Sequence, residues 1–359
     1  MRTLRDLGEA GLIERLRRQM PRASSVLIGI GDDAAVLRVR PDSAKRRWLF
    51  ASDMIVEGVH FRRRDVPARW IGWKALASNV SDIAAMGGVP HWAVVSIGLP
   101  SQTPVRFVDE LYVGLRRCAR RFDLAIVGGD TVRASQVVVD VAILGSVERR
   151  RLVVRSGARV GDVLFVTGRL GGSLRRGRHA ALTPRVREAR ALGGRLRLHA
   201  MMDLSDGLAS DLWQLSRASR VTMRIEAQDI PIARSARTLH HALMDGEDFE
   251  LLFAVSRRDA ARVPHRVGTC PVTRIGEAVG RGVGVFIRHP SGRSTPLKPT
   301  GFQHFRSLDS HHGLWPWARS GFHPIPRPAA SGSLSRNPER SRGTGTPEGS
   351  TPPGRGGAP

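Results

Sequence analysis

The chain has 359 residues, 41% of them apolar, two cysteines and a formal charge of +25. That length suits two packed domains, and no run approaches the ~18 consecutive apolar residues of a spanning helix. Cys118 and Cys270 sit in unrelated contexts, which suggests neither a disulfide framework nor a zinc site; with no basic-then-apolar leader, a reducing, cytoplasmic setting is expected.

The charge is almost all arginine, because lysine occurs only at Lys45, Lys74 and Lys298. A nucleic-acid groove would gather basic residues beside a recognisable module. Here they are scattered through every segment, so compositional bias is the better account and a nucleic-acid partner is not expected. A general attraction for anionic substrates still follows.

In chain order, Leu4 to Met20 reads as an amphipathic helix, with Leu7, Leu12, Ile13 and Leu16 near helical spacing. Val26 to Ile30 is a short strand running into Gly31-Asp32-Asp33, and Trp48 to Ala51 another, running into Ser52-Asp53. Trp70 to Met86 fits a helix stopped by Gly87-Gly88. His91 to Leu99 is a strand closed by Pro100, and Val105 to Phe122 is a helix. Leu124 to Val127 is a strand ending in Gly128-Gly129-Asp130, and Val137 to Val147 is a long strand.

The segment RSGARVGD (155–162) marks a boundary. Beyond it, Val163 to Val166 reads as a strand and residues 174–200 as partly helical. Ser205 is a good N-cap for a helix from Asp206 to Ala218. Val221 to Ile225, Glu250 to Val255 and Val283 to Arg288 are strands. Without regular strand–helix alternation, the expected class is α+β. Residues 1–150 and 151–306 are the expected domains. Residues 307–359 are too rich in Pro, Gly, Ser and Arg to bury a core, so a disordered tail is expected.

Only 32 residues are acidic, yet aspartates recur at one kind of place. Asp32, Asp33, Asp53 and Asp130 each follow an apolar strand, and Asp203 and Asp206 flank Leu204-Ser205 just before a helix. Asp82 lies inside a helix. Hard cations such as Mg²⁺ take oxygen ligands and are shared between a few carboxylates and substrate phosphates. Neighbouring glycines allow close backbone approach. Carboxylates gathered at one place repel one another unless cations bridge them. Singly, Gly-Asp-Asp and Gly-Gly-Asp-Thr are common turns, and Asp203 and Asp206 suit a helix N-terminus. Together they point to a site for several metal ions and phosphate. No G-x-x-x-x-G-K-[ST] loop or protein-kinase motif set competes.

The ordered segments GIGDDAAVL (29–37), ASDMIVEGVHF (51–61), WKALASNVSDIAAMGG (73–88), GGDTVR (128–133), RSGARVGD (155–162), MDLSDGL (202–208) and GEDFELLF (246–253) together resemble the thiamine-monophosphate kinases. That family sits within the superfamily of aminoimidazole ribonucleotide synthetase, selenophosphate synthetase and a hydrogenase-maturation protein. The resemblance covers roughly residues 4–305. It implies a two-domain chain whose N-terminal sheets pair into a barrel in a homodimer, with an α/β C-terminal domain. It also implies ATP and several Mg²⁺ ions in a cleft between the domains, and phosphorylation of thiamine monophosphate to thiamine diphosphate. By resemblance, Asp33, Asp53, Asp82, Asp130, Asp203 and Asp206 hold the metals, with Ala51 and Ser52 adding backbone or hydroxyl oxygen. Gly129, Asp130, Arg155 and Ser205 contact ATP, and His60, Glu247 and Phe302 line the thiamine phosphate site. The acceptor is already a phosphate, so in-line transfer needs no strong base and no phosphoenzyme.

Four features depart from the family pattern. Ala51 stands where a hydroxyl is usual, and Asp245 stands where a second glycine is usual. The stretch from Ile225 to Met244 is short, and the basic tail has no counterpart. Rival readings are another ATP-using superfamily member or a non-catalytic nucleotide- or RNA-binding relative. Selenophosphate synthetase would need a reactive cysteine near the N-terminus, the hydrogenase-maturation relative ends in cysteine, and ASDMIVEGVHF is unlike the corresponding segment of aminoimidazole ribonucleotide synthetase.

Overall fold

The computed structural model describes residues 26–29, 31–38, 45–173 and 178–302, together with positions 11, 13, 14 and 18. Most of the helix expected over 4–20 and the whole tail from 307 lie outside these residues. Alternating burial along the early strands produces one sheet, ordered β1 (Val26–Ile28), β2 (Ala35–Leu37), β3 (Arg46–Val56), β6 (Val138–Glu148), β4 (Val89–Leu99) and β5 (Ala125–Arg133). Only β4 and β5 pair in parallel, and they are joined through α2 (Val105–Arg121). The inner face of this sheet, including Leu49, Ile55, Val95, Val141 and Ile143, is buried under α1 (Ala68–Ala85) and α2.

Those two helices touch backbone to backbone. A Cβ on Gly114 would lie 1.8 Å from the Arg69 carbonyl oxygen, and one on Gly72 would lie 1.9 Å from that of Leu111. Only glycine permits that approach. The sheet's outer face is open, and Phe50, Met54, Trp92 and Val94 are exposed there.

The second half builds another mixed sheet: β14 (Ser294–Pro296), β13 (Gly284–Arg288), β9 (Val221–Glu226), β12 (Cys270–Arg281), β7 (Val163–Thr167), β10 (Leu251–Val255) and β8 (Leu198–Asp203), with β11 (Arg266–Val267) beside β12. Helix α4 (Leu208–Ser219) packs with one apolar cluster of this half through Leu208, Leu212 and Leu215. Helix α3 (Val186–Arg195) contributes Ala189 and Leu192 to a cluster that also takes Ala84 and Ala85 from α1. So α1 is enclosed between the two halves, and its apolar residues surround it instead of forming one stripe. No helix among the described residues is long and apolar enough to cross a membrane.

The α+β class agrees with the sequence reading, but several elements differ from it. The twelve-residue β12 in the middle of the second sheet was not expected; its register breaks at Gly276 and Gly280 and hides the alternation. Strand β8 begins inside the 174–200 stretch read as partly helical and runs on to Asp203. Strands β3 and β5 run on through Ser52-Asp53 and Gly128-Gly129-Asp130, so Asp53 and Asp130 lie inside strands and not at their ends. Helix α4 begins at Leu208 with Gly207 at its N-cap and no side-chain cap, so Ser205 does not serve as one. The short 225–244 stretch holds only a 3₁₀ turn and α5 (Leu239–Met244).

Candidate active site

Three stretches distant in sequence bring carboxylates together where the two halves meet. Asp33 comes from the link between β1 and β2, Asp82 from α1, and Asp203 from the end of β8. Each offers an oxygen within 4.8 Å of the others. Asp203 accepts the Ser81 hydroxyl at 2.5 Å. The backbone N–H of Asp53 donates to Asn79 Oδ1 at 3.1 Å, which ties β3 to α1 beside the trio. The Asp53 side chain lies on the inward face of β3, between buried Ala51 and Ile55.

The electrostatics show too much negative charge for the protein alone. Desolvation, then the charges of Asp53, Asp203 and Asp33, push Asp82 well above the ordinary carboxylate range. Burial and Asp33 raise Asp203 to about 8, although the Ser81 hydroxyl opposes this. Asp32, whose oxygens accept the backbone N–H groups of Asp33 and Arg155, is raised to about 7 by burial and Asp33.

One cation answers part of this charge. Arg155 grips Asp33 through Nε at 3.1 Å and Nη2 at 2.6 Å and donates to Gln214 Oε1 at 2.8 Å. Burial works against its charge, but Asp33 more than compensates and holds it firmly protonated. An all-oxygen set with uncompensated charge fits a hard divalent cation such as Mg²⁺.

A second group lies alongside. Asp206 accepts from Gln214 Nε2 at 3.2 Å, and its N–H donates to the buried Asp211 at 3.2 Å. Burial, then Asp206 and Asp203, raise Asp211 strongly. The Ser205 carbonyl accepts the Glu247 N–H at 2.7 Å, and the Asp206 carbonyl accepts the Phe302 N–H at 3.0 Å. Thus Ser205, Asp206, Glu247 and Phe302 share one neighbourhood.

Glu247 is held in a loop of unusual backbone. Gly246, Glu247 and Phe249 have φ of 70°, 51° and 49°, and non-glycine residues rarely adopt this region unless their surroundings enforce it. The enforcement is visible. Ser173 Oγ donates to the Gly246 carbonyl at 2.6 Å, and Asp248 accepts the Gly171 N–H at 2.8 Å. Asp245 accepts the Gly172 N–H at 2.8 Å and pairs with His241 Nδ1 at 2.8 Å. Asp245 therefore anchors the loop on both sides. The Glu247 carboxylate meets Lys74 Nζ at 2.5 and 2.6 Å, and the same ammonium donates to the His60 carbonyl at 3.0 Å. His60 Nδ1 accepts the Val56 N–H at 3.0 Å.

Not every expected residue joins these groups. Ser52 Oγ bonds Asp140 at 3.1 Å on the outer face of the sheet, so its hydroxyl points away from Asp53's side. Gly129 and Asp130 are exposed on the edge strand β5. Asp130 is in register with Ser96 of β4, three strand steps from β3, about 14 Å. Sequence reasoning missed Lys74, Asn79, Ser81, Asp211 and Gln214. Lys74, Ser78 and Asp82 recur every four residues in a mostly apolar helix, and that polar stripe was the available signal for Lys74.

Residues 31–147 match the AIR synthase related protein, N-terminal domain family, and residues 159–288 its C-terminal domain family. The chain is 39% identical over 310 residues to the thiamine-monophosphate kinase of Rhodopirellula baltica, covering 82% of this chain and 97% of that one. The chain belongs to the thiamine-monophosphate kinase family. The family's enzyme from Aquifex aeolicus is 32% identical over 84% of this chain and 99% of its own. A solved structure described as AaThiL complexed with AMPPCP and TMP superposes with a TM-score of 0.73 at 30% identity, covering 85% of this chain and 99% of that one. The hydrogenase-maturation protein HypE shares the fold at 17% identity, with a TM-score of 0.62.

Proposed function

We propose that this thiamine-phosphate kinase transfers the γ-phosphoryl group of ATP to the phosphate of thiamine monophosphate, giving thiamine diphosphate and ADP. The observation that carries the reading is the convergence of Asp33, Asp82 and Asp203 from three separate stretches, in a chain of this family. Asp53, Asp206 and the Ala51 and Ser52 carbonyls join the proposed Mg²⁺ set, with Asp130, on the far strand of the sheet, as its outermost member. Mg²⁺ bound there supplies charge neutralisation and alignment of the β- and γ-phosphates. Gly129, Asp130, Ser205 and Arg155 are the proposed nucleotide contacts, and His60, Glu247 and Phe302 the acceptor contacts. With Nε and Nη2 holding Asp33 and Nη1 on Gln214, Arg155 offers phosphate oxygens its remaining Nη N–H groups, and its hold on Asp33 keeps it aimed at the cluster.

An acceptor phosphate oxygen attacks the γ-phosphorus, and the bond to the ADP oxygen breaks in line. No side chain has to remove a proton, which accords with a cluster of carboxylates without a histidine base. The proposed domains are 1–150 and 151–306, and the proposed setting is cytoplasmic. The proposed assembly is a homodimer: Phe50, Met54, Trp92 and Val94 make an exposed apolar sheet face of the kind that soluble proteins cover with a partner. An ADP-release assay with thiamine monophosphate, with and without Mg²⁺, tests the activity. Equal or greater turnover of unphosphorylated thiamine would overturn the acceptor assignment.

A further inference from the structure

We propose that Lys74 is a positioning residue of the acceptor site, holding the Glu247 carboxylate and the His60 turn at a fixed distance from the metal cluster. This deepens the proposed function and rests on it.

Three observations carry the assignment. First, Lys74 Nζ meets three acceptors: both Glu247 oxygens and the His60 carbonyl. It therefore joins two segments 187 positions apart, both expected at the acceptor, through one atom. Second, Lys74 lies on the same helix as Asp82. Eight residues of α-helix rise about 12 Å, and α1 is one unbroken helix, Ala68–Ala85, enclosed by both halves, so it sets the spacing between the carboxylate cluster and Glu247. Ser81 on the same helix fixes Asp203. Third, the chain uses arginine almost everywhere, yet its one buried lysine stands here: Lys74 is 1% exposed, whereas Lys45 and Lys298 are exposed. A compact ammonium can place three donors around a point, which a planar guanidinium cannot.

Glu247 also sits on strained backbone, and strain of this kind persists where the surroundings fix a functional geometry. A carboxylate held by Lys74 is presented in one orientation to a cationic ring. Without Lys74 it would swing or take up a proton.

The test is Lys74→Met and Lys74→Arg in the full chain, with KM measured separately for thiamine monophosphate and ATP. Positioning predicts that Lys74→Met raises KM for thiamine monophosphate about tenfold or more, while KM for ATP and kcat at saturation stay within about twofold. Lys74→Arg recovers part of the loss. In folded protein, a merely structural role would affect both substrates alike, and that result overturns the proposal, as does an unchanged KM for thiamine monophosphate.

Should Lys74→Met fail to fold, the wild type decides. ¹⁵N-lysine labelling gives only three side-chain signals. Thiamine monophosphate must shift the Lys74 signal and leave Lys45 and Lys298 in place, and an unmoved Lys74 signal at saturation overturns the proposal. Wild-type protein that does not phosphorylate thiamine monophosphate would instead overturn the proposed function, so the two failures are distinguishable.

Discussion

Replacing Asp82 by Asn should stabilise the metal-free protein while removing its activity. Asp33, Asp82 and Asp203 have oxygens within 4.8 Å of one another. At an effective dielectric constant near 20, each unit-charge pair at that separation repels by about 3 kcal/mol. Removing the Asp82 charge abolishes two such pairs. Arg155 beside Asp33 and proton uptake by the cluster already relieve part of the repulsion, so the expected net gain is about 1–3 kcal/mol in EDTA near pH 8. The pH dependence has a definite sign. Asp203 is raised to about 8 and Asp82 is raised as well, so the folded protein keeps protons that the unfolded chain has released. Metal-free wild-type stability therefore falls as pH rises from the ordinary carboxylate range toward about 8, and Asp82→Asn flattens that slope. Denaturant unfolding in EDTA and in excess Mg²⁺ measures both effects. Mg²⁺ should stabilise the wild type strongly and the variant weakly, with turnover in the variant down at least about a hundredfold. A variant destabilised equally with and without Mg²⁺ would refute the reasoning, because the carboxylate would then be satisfied by protein contacts.

Val94→Lys, which places a charge on the open sheet face, should convert a dimer to a monomer in sedimentation velocity; unchanged mass would exclude that face as the interface. Asp245→Ala removes the acceptor for Gly172 N–H and the His241 contact, so it should cost about 1–3 kcal/mol in urea melts and raise KM for thiamine monophosphate more than KM for ATP. Gly114→Ala drives a Cβ into the Arg69 carbonyl and should destabilise by about 1–3 kcal/mol or more, read as a lower melting temperature. Glu148 is lowered to about 2, first by its hydrogen bond from Arg190. Its contribution is therefore present above the ordinary glutamate range and lost as pH falls toward about 2, and Glu148→Gln should flatten the acid limb of a stability–pH curve.

The proposed metal residues drew notice because Gly-Asp-Asp and Asp-x-x-Asp carry local signals, and their recurrence made a pattern. Which of them meet was not legible, since that depends on how β8, α1 and the β1–β2 link pack. Alternation along β3 separates Ser52 from Asp53 onto opposite faces, a consequence hidden while the strand was read as ending at Ala51. Strand β12 escaped because Gly276 and Gly280 break its period. Ser205 has N-cap chemistry, but its carbonyl is drawn to Glu247 N–H and the turn belongs to that tertiary contact. Lys74 carried only the weak signal of its four-residue spacing with Ser78 and Asp82, and its pairing with Glu247, 173 positions away, depends on tertiary packing.

The most direct measurement is ³¹P NMR of the wild-type protein with ATP, thiamine monophosphate and Mg²⁺. The pyrophosphate signals of thiamine diphosphate should grow as the thiamine monophosphate signal and the γ-phosphate of ATP fall together, and EDTA should stop the change. Release of inorganic phosphate without thiamine diphosphate, or transfer that continues in EDTA, would contradict a kinase whose aspartates gather around divalent cations.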